Sequence, residues 1–281
     1  MTQTEFLVLK RLSIKPTVLF VIAAFLATGG CTSTEQREMS EAKSDIGRGH
    51  FRIALSHLDK IILRSPQSDL GIEAAREAAR ICFFELKDFP RAARHYQQIV
   101  LSSKNADERL LAQKQIVSVY FDQISDYPKA VVELNKLVAM LADPQDKMNY
   151  KIKLARAYYY QNNFSQAENE ADEFIRSNPP KDQRFDMLLL KGNISLAEKN
   201  LPTAITVFRD LLSQYPERSA KDNVALTLSV CYEEVKDFRA AIEVLEKLKI
   251  THPVPEYLDL RIKRLRERLK NLPASSGRTK K

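Results

Sequence analysis

Apolar and polar positions along residues 35–253 recur every 37 or 38 residues. The clearest mark is an alanine, at Ala54, Ala92, Ala130, Ala167, Ala204 and Ala241, with intervals of 38, 38, 37, 37 and 37. Three residues before it stand Phe51, Phe89, Tyr127, Phe164, Leu201 and Phe238. Four residues after it stand Leu58, Tyr96, Leu134, Ala171, Phe208 and Leu245; seven after it stand Ile61, Ile99, Leu137, Phe174, Leu211 and Leu248. Offsets of 0, 4 and 7 put three apolar side chains on one helix face. Pro90, Pro128 and Pro202 directly follow the large apolar residue, at a first-turn position where the missing N–H is no loss. Pro66, Pro179, Pro216 and Pro253 close four of the six units, since proline stops a helix.

Each unit also predicts an earlier helix. Twelve residues before the alanine come Ala42, Arg80, Ser118, Ala155, Gly192 and Ser229, five of them small; nine before it, Phe83, Phe121, Tyr158 and Tyr232 are aromatic. Arg80 breaks the rule, but its neighbour is Ala79, so that helix is expected to be turned slightly. This order of small residue, aromatic, turn, aromatic, alanine, apolar pair and proline resembles the tetratricopeptide repeat. The resemblance implies an all-α fold: a right-handed superhelical solenoid of about six helix–turn–helix repeats over residues 35–253. No unit buries its apolar face alone, so neighbours must stack. The period exceeds the family's common 34 by about one helical turn, to be absorbed in longer helices or in loops such as Ser177–Asp182.

Leu258, Ile262, Leu265 and Leu269 step by 4, 3 and 4 and predict a last amphipathic helix, a basic cap over residues 254–270. Two readings of its polar face stay open. It is the solvated face of a capping element, or Arg261, Arg264 and Arg268 contact an anionic lipid surface or an acidic partner. Residues 271–281 read as a disordered basic tail. Residues 261–281 hold nine Lys/Arg against Glu267 alone, a charge of +8; residues 1–30 carry +2, which leaves −2 for residues 31–260 out of a total of +8. The body is nearly neutral, so the basic pI is no sign of a nucleic-acid partner.

The N-terminus has the layout of a secretory signal, with Lys10, Arg11 and Lys15, then an uncharged run of 15 residues from Pro16 to Gly30. A membrane span needs about 20. Thr28-Gly29-Gly30-Cys31 resembles the bacterial lipobox, with Thr28 where leucine is usual. That resemblance implies a signal peptide over residues 1–30 and acylation of Cys31, palmitate included. Residues 31–34 would be a lipidated linker. Thr32, not being Asp, implies the outer membrane and a periplasmic orientation, with inner-membrane anchoring the alternative.

Cys82 and Cys231 fall in the first helices of units two and six and read as small buried hydrophobes rather than a bridge. No His among His50, His57, His95 and His252 pairs with another His or a Cys at metal-ligand spacing. His57 reads as a surface or packing residue. No nucleophile elbow, phosphate loop, zinc-protease or dinucleotide motif is present in the sequence. The expectation is therefore a protein with no catalytic residue, metal, cofactor, nucleic acid or small-molecule substrate. A cell-wall hydrolase or its activator would need a constellation that the chain lacks. In tetratricopeptide repeats the groove is lined from the first helices, which by register implies Asn149, Arg156, Tyr159, Asp186, Asn193 and Asn223. Arg and Tyr serve as interface anchors, and Asn offers amide hydrogen bonds to an extended peptide.

A lipobox joined to such repeats resembles the BamD family of outer-membrane assembly lipoproteins. The residues that carry this are Ala157-Tyr158-Tyr159, Ala167, Phe174-Ile175-Arg176-Ser177-Asn178-Pro179, Leu190-Lys191-Gly192 and Gln214-Tyr215-Pro216-Glu217-Arg218-Ser219. That family has five units, against six here. The resemblance implies a periplasmic scaffold that contacts a β-barrel assembly component and nascent outer-membrane proteins. A pilotin-like lipoprotein of secretin assembly and a Tol–Pal or cell-division-associated coordinator remain alternatives.

Overall fold

The computed structural model describes residues 33–271. The expected signal peptide, Cys31 and all of the basic tail beyond Asn271 lie outside the described residues. Within them every regular element is helical, and no helix is long and apolar enough to cross a membrane. The first hairpin is α1 (Thr34–Gly47) and α2 (Phe51–Arg64); the second is α3 (Asp69–Arg80) and α4 (Phe89–Ser102). The third is α5 (Ala106–Ser118) and α6 (Tyr127–Met140), the fourth α7 (Pro144–Tyr160) and α8 (Phe164–Arg176), the fifth α9 (Lys181–Ala197) and α10 (Leu201–Gln214). The sixth has a divided first helix, α11 (Pro216–Lys221) and α12 (Val224–Glu234), then α13 (Phe238–Lys249); α14 (Pro255–Lys270) ends the series. The chain forms two compact units, one up to Ser103 with the first two hairpins and one from Lys104 onward with the rest.

The periodic residues begin the second helices. Phe51, Phe89, Tyr127, Phe164, Leu201 and Phe238 are each the first residue of such a helix. The residue before is the N-cap, and Asp88, Asp126, Asn163 and Asp237 accept a backbone N–H with their side chains, which satisfies one of the donors that a helix start leaves unpaired. One step earlier the backbone turns left-handed in all six hairpins, at Gly49, Lys87, Ser125, Asn162, Lys199 and Lys236. Geometry repeats there although residue type does not.

The repeat alanines are all fully buried. Each second helix packs its apolar face on its own first helix and, within a unit, on the next one. Val117, Leu134, Leu137, Leu154 and Ala157 join α6 to the α7 side. Ala167, Ala171, Phe174, Met187 and Ile194 do the same for α8 and α9, and Phe185, Ala204, Phe208, Leu228 and Cys231 for α10 and α12. Leu258, Ile262 and Leu265 of α14 cover Ala241, Ile242 and Leu245 of α13, as the apolar stripe predicts. At Gly192 a Cβ would lie 2.6 Å from the Phe208 ring, so the small residue is what lets α10 approach.

The two 38-residue intervals have a structural cause. Both contain a π turn at the end of the first helix, Ile81–Glu85 after α3 and Val119–Gln123 after α5. A π turn accommodates one extra residue within a continuous helix. The contact position therefore moves back by one, to Ala79 and Val117, at 0% and 1% exposure, while Arg80 and Ser118 are half-exposed. This is the rotation that Ala79 suggested, with a register shift as its origin.

The sixth hairpin departs from expectation. Asp222 and Asn223 interrupt its first helix, and Asn223 is left-handed with φ 56°. Asn tolerates this conformation better than most residues. Asn223 is thus a hinge residue between α11 and α12, not a member of a continuous groove-lining helix.

Candidate functional site

The first helices of hairpins four to six carry a linked row of polar side chains. Gln183 Nε2 on α9 donates to Asn149 Oδ1 on α7 at 2.8 Å. Asp186 on α9 receives Arg156 of α7 at 3.4 Å and Arg218 of α11 at 3.0 Å. Arg218 also lies 3.4 Å from Asp182 and stacks 4.7 Å from the centre of the Phe185 ring. Burial would lower the Arg218 pKa, but Asp186, Asp222 and Asp182 outweigh it and raise it. A guanidinium held between carboxylates and an aromatic face has a fixed orientation. Asn149 and Arg156 also border a cleft of 310 Å³ with Phe121, Tyr150, Ile152 and Lys153. The cleft has room for one or two side chains of an extended segment.

Three of the six groove residues expected from sequence, Asn149, Arg156 and Asp186, belong to this row. Asn193 is half-buried about two turns further along α9 and takes no part in its ion pairs. Tyr159 is half-buried, packed with Phe164 against the core of hairpin four, and burial raises its hydroxyl pKa. The exposed tyrosine is Tyr160, at 49%, stacked on Tyr127 at 4.8 Å. Asn223 sits in the break already described. Gln183 and Arg218, which complete the row, were missed; Arg218 lies in a helix created by that break.

The basic residues of α14 divide. Arg261 is half-buried and bonded to Glu233 at 3.0 and 2.5 Å. Arg268 lies 3.6 Å from the same carboxylate and 5.0 Å above the Phe238 ring. Arg264 is exposed.

Other chemistry-bearing residues are packed away. Cys82 and Cys231 are free and buried, as expected, and desolvation pushes the Cys82 thiol up to about 11, far from a reactive thiolate. His57 is neither surface nor apolar packing. Its Nδ1 lies 2.5 Å from Glu38 and 3.3 Å from Glu41, and its Nε2 lies 3.7 Å from Asp45. Glu38, Glu41 and His57 bring ligand-type atoms within 4.8 Å of one another. Lys60 already places a cation 3.3 Å from Glu38, so this grouping serves as an ion-paired anchor between α1 and α2. A groove of 690 Å³ lies between α10 and α13, floored by Ala220, Ala225 and Leu228.

The tetratricopeptide repeat family matches residues 152–219, most of hairpin four, all of five and the start of six. No curated protein matches the chain. Among solved structures, a tetratricopeptide repeat protein from Parabacteroides merdae aligns with 15% identity over 84% of this chain and 88% of its own, with a TM-score of 0.49. PilW, a type IV pilus biogenesis factor, aligns with 15% identity over 83% of this chain and 100% of its own, also at 0.49. YrrB, with an unusual peptide-binding site, aligns with 13% identity over 64% and 86%, at 0.42. The described chain is a helical-hairpin repeat protein, and residues 152–219 are of tetratricopeptide type.

Proposed function

We propose that this protein is a membrane-anchored scaffold that holds other proteins against the first helices of hairpins four to six, in the manner of the BamD family. The observation that carries it is the row Asn149–Gln183 and Arg156–Asp186–Arg218 beside the 310 Å³ cleft. The row offers amides and oriented guanidiniums from three successive hairpins, which suits an extended peptide more than a reacting small molecule. The finer reading supposes acylation at Cys31, a position in the outer membrane facing the periplasm, and envelope proteins as partners, a β-barrel assembly component or nascent barrel proteins among them. It draws on the Thr28–Cys31 motif and on the resemblance across residues 154–200.

The test is a photo-crosslinking amino acid placed at Asn149 in living cells, with exposed Arg239 on α13 as the control site. Barrel-assembly proteins captured at Asn149 and not at Arg239, and lost with Asp186→Lys, are the expected result. Equal capture at both positions would overturn the scaffold surface. Capture of secretin or Tol–Pal components would replace the BamD-like reading with one of its alternatives. Cys31→Ser should release the protein from membranes; retention without an acyl label would refute the anchor.

A further inference from the structure

The far end of the second unit has a different surface. From Ile250 to Leu260 four large apolar side chains are exposed, Ile250 at 85%, Val254 at 51%, Tyr257 at 54% and Leu260 at 52%. Capping by α14 does not explain them, because its packing stripe is Leu258, Ile262 and Leu265. Tyr257, Leu260, Arg264 and Arg268 step by 3, 4 and 4 along the helix and so share another face. That face borders a cleft of 350 Å³, whose remaining walls are Arg261, Leu265 and Glu233 of α12.

The charges in this cleft do not balance. Glu233 is its single carboxylate, set against Arg261, Arg264 and Arg268. It is occupied chiefly by Arg261 and reaches Arg268 only at 3.6 Å. Arg264 has no ion-pair partner among the described residues. A cleft with apolar walls and two guanidiniums in excess of its carboxylates favours an anion that also brings an apolar group. A flat bilayer surface does not enter a recess of this size, whereas a side chain does.

We propose that this face of α14 is a second docking site, for an acidic peptide segment of a partner protein. An aromatic or aliphatic side chain of that segment would sit against Tyr257, Leu260 and Leu265. A neighbouring carboxylate would pair with Arg264 and Arg268. The site is separate from the row on α7, α9 and α11, so neither proposal depends on the other.

The test uses the full chain in detergent micelles and two fluorescein-labelled peptides, Asp-Glu-Phe-Asp-Leu-Glu and its counterpart with lysine at every acidic position. Fluorescence anisotropy should show binding of the acidic peptide only, weakened by added salt. Arg264→Glu should weaken it by about tenfold or more, and Leu260→Ser by less, at unchanged melting temperature. Asp186→Lys should leave it unaltered, which separates this site from the first. Failure of the acidic peptide to bind, equal binding of the lysine peptide, or binding indifferent to Arg264→Glu would each overturn the proposal. So would an effect of Arg264→Glu confined to partition onto phosphatidylglycerol vesicles over phosphatidylcholine ones, which would assign the face to lipid.

Discussion

The first and fifth hairpins solve the same packing problem in opposite ways. In the first, Glu38 of the first helix meets His57 of the second in a polar contact, with the carboxylate residue at 5% exposure and Lys60 beside it. Three residues past the repeat alanine of the fifth stands Val207, which, like Leu188 of the first helix, packs against an apolar cluster. The third hairpin resembles the first, with Gln113 donating to the Glu133 backbone at 3.0 Å and carboxylate at 2.8 Å. In the sixth the corresponding pair is Ala225 and Val244, too small to fill the space, and the 690 Å³ groove opens there. The repeat alanine and its apolar companions set the fold, while this neighbouring position is free to be polar, apolar or empty. Polar pairs favour one helix register through directional bonds, at a desolvation cost that apolar pairs avoid.

The largest expected effect tests the apolar solution. Gly192→Leu would drive a side chain into Phe208, where even a Cβ would stand at 2.6 Å, and should cost about 3 kcal/mol; thermal melting that matches the native chain would contradict that close approach. In the third hairpin, Gln113→Leu alone leaves the Glu133 carboxylate short of a donor and should cost roughly 1–3 kcal/mol. Adding Glu133→Leu should recover most of the loss, and urea titration of the single and double variants measures both steps. A double variant no more stable than the single one would mean that the polar pair is required for packing.

The polar solution of the first hairpin should also respond to acid. The hydrogen bond from His57, aided by Lys60 and opposed by burial, holds the Glu38 carboxyl below its ordinary 4.5. Its stabilisation is therefore full above about pH 4.5 and fades as pH falls through the lowered pKa. Glu38→Gln should cost about 1.5 kcal/mol at pH 7 and much less at pH 3. Melting curves at both values check this, and an equal gap at the two pH values would exclude the linkage. The smallest effect concerns the turns. Lys236 is left-handed at φ 62°, and Lys236→Gly should stabilise by up to about 1 kcal/mol, since glycine adopts that conformation without a steric penalty. A lower melting temperature would show that the turn gains more from the lysine than its backbone loses.

Three of the five residues of the polar row were legible. Asn149, Arg156 and Asp186 could be placed because a 37-residue period fixes which residues of successive first helices are equivalent. Tyr159 falls outside the row, half-buried, because residues one step apart differ by about 100° around a helix and Tyr160 takes the exposed side. The place of Asn223 was not legible because the Asp222-Asn223 break is a local backbone event inside a strongly periodic segment. The His57 anchor was invisible for another reason: its partners are 12 to 19 residues away on the facing helix, and no spacing rule singles out that pair.

By itself the sequence determined the hairpins, their starting residues, the buried alanines and the capping stripe of α14. These depend on helical periodicity and on side-chain size, both local properties that repetition amplifies. Tertiary structure alone decided the π turns that absorb the extra residue of the 38-residue intervals. It alone joined Asp186 to two arginines, drew Glu38 onto His57 and left Arg264 without a counter-charge among the described residues. Those outcomes depend on which side chains from different helices meet, and a change of one residue in register rotates a helix by roughly 100° and replaces every such meeting.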